Sequence, residues 1–239
     1  MKRINTLVVS DIKNITRDFI LGFCLFLPVL LVLVFRFIIP FISDLVRSYF
    51  DLYPYFLFIF GIYLLIAPMM YGWVIGFLLL DERDENTLIA ISITPLGKTG
   101  YLLYRIITLI LLNYVFIIAL SPLTGLMRVN LFRLAVVALL SSLEAPLFAL
   151  MIASFARNKV EGLAFAKGLG LLIIPCFVGL TIPAPWHYFG GVFPTYWVTQ
   201  SVLSMNGSAV SFILNITGGV VVHGVWLAVM LYIFDRRAG

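Results

Sequence analysis

Long apolar runs alternate with short charged segments along the chain. Six runs approach the length of helix that crosses a bilayer, about 20 residues for a hydrocarbon layer about 30 Å thick. They cover 19–41, 55–80, 104–123, 134–155, 168–183 and 209–234. Ahead of them, residues 2–18 carry Lys2, Arg3, Asp11, Lys13, Arg17 and Asp18. Ile4, Leu7, Val8, Ile12, Ile15 and Phe19 recur there near the 3.6-residue period, which predicts an amphipathic helix lying in the membrane interface over 1–18. The charges extend too far for a signal peptide, and no small-residue cleavage site follows. The pattern predicts an all-α membrane protein: one transmembrane domain over 1–239 with six spans.

Two features interrupt the runs. Pro28, Pro68 and Pro146 fall inside spans, and a kink at Pro68 would free main-chain groups that need partners on neighbouring helices. Gly72 and Gly76 form a G-x-x-x-G, a pattern that permits close helix approach but is common in membrane helices. Between the last two spans, residues 184–208 are rich in aromatics, Pro and Gly and contain no Lys or Arg. This composition suits an interfacial or re-entrant segment on the outer side. Trp186, Tyr188, Phe193, Tyr196 and Trp197 are candidates for an extracellular gate, and a plain interfacial belt accounts for them equally well.

Composition strengthens the membrane reading. The 239 residues are 62% hydrophobic and 11% charged, with mean hydropathy +1.10; soluble domains average roughly 45–50% apolar and about 25% charged. The net charge of +5 resides largely in loops, where it sets topology and does not argue for nucleic acid. Counted over alternate loops, twelve Lys and Arg lie on the side of the termini, and three (Arg47, Arg128, Arg133) on the other. Both termini are therefore expected in the cytoplasm of a prokaryotic cell. Arg36, within the first span, either snorkels to the outer interface or lines a pathway.

Candidate chemistry is sparse. Gly97-Lys98-Thr99 lacks the first glycine of a P-loop, whose place is held by Ser92, and apolar spans flank it. His187 and His223 stand alone, Cys24 and Cys176 fall in spans, and no ligand spacing for a metal is present. An enzyme is not expected, nor a cofactor bound by this chain. Asn206-Gly207-Ser208 matches a glycosylation sequon that matters only in a eukaryotic secretory setting. Glu144 lies mid-span beside Ser141 and Ser142; these three are the candidates for a substrate pathway. Lipid exposure of Glu144 at that depth would cost roughly 2.5–3.5 kcal/mol, so it is expected to face the bundle interior.

The densest charge lies at Asp81, Glu82, Asp84 and Glu85, at the head of a segment that runs to about residue 100. Acidic residues there precede a helix expected over 86–93, which Pro95 stops. Glu82-Arg83-Asp84-Glu85-Asn86-Thr87-Leu88 followed by Thr94-Pro95-Leu96 resembles the cytoplasmic E-R-E-x-G-T-L…T-P-L signature of ABC type-2 exporter permeases. Asp84 replaces a glutamate and Asn86 a glycine; Asn tolerates the left-handed turn. Arg157–Gly162 is similar to that family's second cytoplasmic loop, and the six spans, interfacial helix and outer aromatic insert are similar throughout. Among subfamilies the chain looks most like permeases for fluoroquinolone-type drug export. The resemblance implies a coupling helix seated on a separate cytosolic ATP-binding subunit, which holds ATP and Mg, and a second permease chain. Glu82, Arg83, Asp84, Glu85, Thr87, Leu88, Ile91, Thr94 and Pro95 would make that contact. An amphipathic or lipophilic substrate would move by alternating access. A proton-coupled transporter using Glu144, or a non-transporting assembly protein, are the alternatives.

Overall fold

A computed structural model describes residues 19–85, 87–93, 97–126, 130–183 and 185–237, with side chains from Phe26 onward except at 88, 89, 92 and 98. The interfacial helix expected over 1–18 lies outside these residues, as do Thr94, Pro95 and the side chain of Leu88. No strand occurs among the described residues.

The first span comprises α1 (Phe19–Leu33), a π-helical turn (Val34–Ile38) and α2 (Ile39–Val46). The second is α3 (Phe56–Asp84), followed by the short α4 (Thr87–Ser92). The third is α5 (Gly97–Leu120). The fourth is divided into α6 (Leu131–Ser142) and α7 (Glu144–Phe155). The fifth joins α8 (Lys159–Leu169) through a 3₁₀ turn (Gly170–Ile173) to α9 (Ile174–Thr181). A 3₁₀ segment (Trp186–Val192) then leads into α10 (Pro194–Leu203), and α11 (Ala209–Arg237) completes the chain as the sixth span. Six helical stretches among the described residues are long and apolar enough to cross a membrane, in agreement with the six apolar runs.

Several helices outrun the apolar segments that announce them. With 29 residues, α3 is about 44 Å long, so its Asp81–Asp84 end projects beyond a hydrocarbon layer about 30 Å thick. The starts of α5 and α8 likewise precede the apolar runs, because polar residues there have partners: Arg105 of α5 on Glu82, and Lys159 of α8 on Asp81. The two ends of the bundle differ. One, the acidic end, gathers the close of α3, the starts of α5 and α8, and the closes of α7 and α11. The other, the aromatic end, gathers the start of α6, the residues that follow α10 and the start of α11; the Trp186–Val192 segment reaches deeper, where Val192 O meets Trp226 past the middle of α11.

The second and fourth spans form the centre: 67% and 78% of their most apolar windows are buried, against 17–22% in the other four. The G-x-x-x-G lies at their crossing. A Cβ on Gly72 would approach the Ala145 carbonyl to 2.5 Å, and one on Gly76 would reach Ile152 Cβ at 3.0 Å. Bare backbone is what lets α3 and α7 touch.

Both prolines at this centre are compensated. Pro68 leaves α3 continuous but deprives the Leu64 carbonyl of its helical donor, and the Ser141 hydroxyl donates to that carbonyl. Pro146 cannot donate to Ser142, and the fourth span breaks there: Leu143 forms a turn whose N–H reaches Leu140 O at 3.1 Å. The break places Glu144 in the first turn of α7.

The aromatic insert enters the bundle. Helix α10 buries Tyr196, Val198, Thr199 and Val202, packing against α3 and α11. Gly218 and Gly219 on α11 make room for it: a Cβ at Gly218 would come within 2.4 Å of the Trp197 ring.

Candidate functional site

Glu144 is buried, at 2% exposure, and its partner comes from the far end of the sequence. His223, fully buried halfway along α11, places Nε2 3.4 Å from Glu144 Oε1. Its other nitrogen, Nδ1, lies 2.7 Å from the Gly219 carbonyl. A carbonyl only accepts, so Nδ1 carries the hydrogen and, in the neutral ring, Nε2 turns a lone pair toward Glu144. Neither Glu144 Oε1 nor His223 Nε2 has a hydrogen-bond donor or acceptor in good geometry. Beside the pair is a small cavity of about 10 Å³, lined by Glu144 and Phe148 from α7, Leu172, Phe193 and Thr195 at the start of α10, and Trp226 of α11.

Ser141 and Ser142 do not join this pair. Ser141 serves Leu64, and the Ser142 hydroxyl donates back to the Ala138 carbonyl at 2.6 Å. Of the three pathway candidates, Glu144 alone faces the cavity.

At the acidic end a second polar group is enclosed. Glu82 Oε1 accepts from the Tyr101 hydroxyl and from Arg105 Nη2, and Arg105 Nε donates to the same hydroxyl at 2.7 Å. Glu82 and Arg105 are both buried, and the pair clamps the close of α3 to the start of α5, on either side of α4. A buried pair of this kind fixes register more surely than it adds stability. Next to it, Arg83 spreads its guanidinium over the carbonyls of Ala153, Ala156 and Arg157, at 3.1, 2.9 and 2.9 Å. These belong to the C-terminal end of α7, where helical carbonyls lack donors. Arg237 reaches Ser154 O at 3.0 Å from α11. The acidic close of α3 therefore grips one end of α7, and the other end of that twelve-residue helix carries Glu144.

The residues expected to form a docking surface divide accordingly. Glu82 and Arg83 turn into the bundle, Asp84 and Glu85 are exposed, and Thr87 and Ile91 are half-buried. Asp81 pairs with Lys159 at 2.8 Å.

The gate candidates divide too. Trp186 and Tyr188 are exposed, with Trp186 stacked on Phe189. Tyr196 is buried, and Phe193 and Trp197 are half-buried. Burial pushes the Tyr196 hydroxyl up to about 12, so it stays protonated at ordinary pH, and it shares a hydrogen bond with His187 Nδ1, 2.6 Å away. Trp197 Nε1 donates to Gly191 O and Trp226 Nε1 to Val192 O. Arg36 ties the π-helical turn to Leu123 O at 2.9 Å, just beyond the C-terminal end of α5.

Residues 11–231 match the family described as fluoroquinolones export permease protein Rv2686c-like. The chain belongs to this family. Two relatives from Mycobacterium tuberculosis, fluoroquinolones export permease protein MT2760 (strain CDC 1551 / Oshkosh) and Rv2686c (strain ATCC 25618 / H37Rv), are each 29% identical over 235 residues. The alignment covers 95% of this chain and 90% of each relative. No solved structure matches. As a member of an export permease family with six candidate spans, the chain is a multi-pass membrane protein.

In this export permease the sequence singled out Glu144 but not His223, whose signal was the same: an ionisable residue at the centre of an apolar span. Arg105, at the edge of the third apolar run, lies inside α5 and is buried.

Proposed function

We propose that the chain is the transmembrane subunit of an ATP-driven exporter, powered by a separate cytosolic ATP-binding subunit that docks on residues 82–96. A second permease chain completes the translocation path, and ATP and Mg are held by the partner. The acidic end faces the cytoplasm and the aromatic end the exterior, as the Lys and Arg asymmetry supports. The substrate is amphipathic or lipophilic, and the relatives' names suggest a fluoroquinolone among the compounds to try first.

One observation carries this reading above the others: Arg83 holds three carbonyls at the end of α7. A push on the 82–96 segment is thereby delivered to the helix that bears Glu144. Interfaces of packed helices are bistable, so a small displacement at one end can switch the arrangement at the other.

The test is uptake of a fluorescent fluoroquinolone into inside-out vesicles containing the permease and the ATPase that copurifies with it. ATP-dependent uptake is expected. The Glu144–His223 pair also suits a proton-coupled carrier, and uptake that ignores ATP but collapses with a protonophore would establish that reading instead.

A further inference from the structure

The cavity beside Glu144 has a chemical bias. The Glu144 carboxyl group lines it, and His223 Nε2, with Nδ1 committed to Gly219, stands behind that group as an acceptor, outside the cavity wall. The Thr195 hydroxyl donates to Leu172 O at 2.6 Å, leaving only its lone pairs free. Trp226 spends its N–H on Val192 O, so what it adds to the cavity wall is indole surface. Pro194, the first residue of α10, has no N–H at all. The polar side chains here thus offer acceptors and spend their donors elsewhere.

Such a site rejects carboxylates and phosphates, whose oxygens would meet other acceptors. It suits a cation rich in N–H donors. A volume of about 10 Å³ accommodates one water-sized group, such as an ammonium nitrogen. The half-exposed Leu172, Phe193 and Trp226 form an apolar and aromatic rim on which the body of a larger molecule can rest, with the indole available for cation–π contact.

We propose that Glu144, His223 and the adjoining cavity form a subsite for the ammonium group of an amphipathic amine carried by this permease. The inference rests on the exporter reading for the word "carried"; the binding itself does not. An ethanolamine lipid headgroup presents the same chemistry, so the test separates the two sources.

The experiment uses the full-length permease, with any subunits that copurify, in phosphatidylcholine nanodiscs. Binding is followed by the fluorescence of monodansylcadaverine, an amphipathic primary amine, and of its N-acetyl derivative, which has the same body without the charge. The amine should bind at least about tenfold more tightly, as expected for one charge-assisted hydrogen bond. Glu144→Gln should bring the two ligands within about threefold of each other by weakening the amine alone. His223→Gln supplies a second variant should the first fail to fold, and should also reduce the preference. Equal affinities in the unsubstituted protein, or a preference that survives Glu144→Gln, would overturn the subsite. Displacement of the probe by phosphatidylethanolamine at ordinary membrane abundance would assign the occupant to lipid and overturn the substrate reading. Absent ATP-driven uptake with intact amine preference would sink the exporter proposal while leaving this one standing.

Discussion

The Ser141 hydroxyl donates to the Leu64 carbonyl, the acceptor that Pro68 strips of its helical N–H. A hydroxyl on the fourth span thus supplies what a proline on the second removes, across the most buried helix pair. Ser141→Ala should cost about 1–3 kcal/mol, since a buried carbonyl loses its donor. In a Pro68→Ala background the helix supplies its own donor to Leu64, and the same substitution should cost less than about half as much. Unfolding in mixed micelles measures both. Additive costs would mean that Ser141 contributes by something other than this bond.

Arg83 and Arg237 both cap the end of α7, but from different helices. Arg83 follows the acidic close of α3; Arg237 ends α11. Arg83 is half-buried, so removing either cap should cost only about 1 kcal/mol of stability. If motion enters through residues 82–96, Arg83→Gln should abolish most export while assembly with the ATPase persists. Arg237→Gln should leave export near normal. Arg83→Lys should fall between, because an ammonium cannot span three carbonyls as the planar fork does. Equal export by the two Gln variants would separate Arg83 from coupling.

Orientation is open to direct labelling. Asn206 lies at the aromatic end and Thr99 at the acidic end, and both are exposed. Ser204, two residues away, is buried and would stay unlabelled on either side. In a background carrying Cys24→Ser and Cys176→Ser, an impermeant thiol reagent outside intact cells should label Asn206→Cys only. Reaction at Thr99→Cys would invert the topology.

Hydropathy exposed the spans because an apolar run of that length has few other uses. It misplaced their ends because it cannot see partners. Arg105 looks like a boundary residue until Glu82 and Tyr101 are brought to it. Gly72 and Gly76 carried little weight as a motif, since the sequence does not say what faces them; Ala145 and Ile152 supply the answer. The aromatic insert was legible in composition alone. Tyr196 and Trp197 suit an interface or an interior equally, and Gly218 and Gly219, which make room for Trp197, are distant in sequence. Proline alone does not announce the break before Pro146, since α3 runs on through Pro68, and the partner of Glu144 was hidden because 79 residues separate Glu144 from His223.

The Glu144–His223 pair allows packing and function to be told apart. Glu144→Leu alone leaves His223 Nε2 in an enclosed site without its partner. Leaving a buried polar atom stranded in this way typically costs about 1–3 kcal/mol. Replacing both, as Glu144→Leu with His223→Leu, removes the stranded polar atom and should recover much of that loss. Thermal unfolding of the two variants and of the unsubstituted protein measures the recovery. Export is the second readout. If the pair only holds the break between α6 and α7 in place, the stable double variant should export normally. If the carboxyl group contacts the substrate, the double variant should remain stable, assembled and unable to export an amphipathic amine. Glu144→Gln sharpens the distinction, since it keeps shape and hydrogen-bonding capacity but cannot ionise. Normal export by Glu144→Gln would show that no charge is needed at this depth; its failure alongside intact assembly and basal ATP hydrolysis would make the acid itself the requirement.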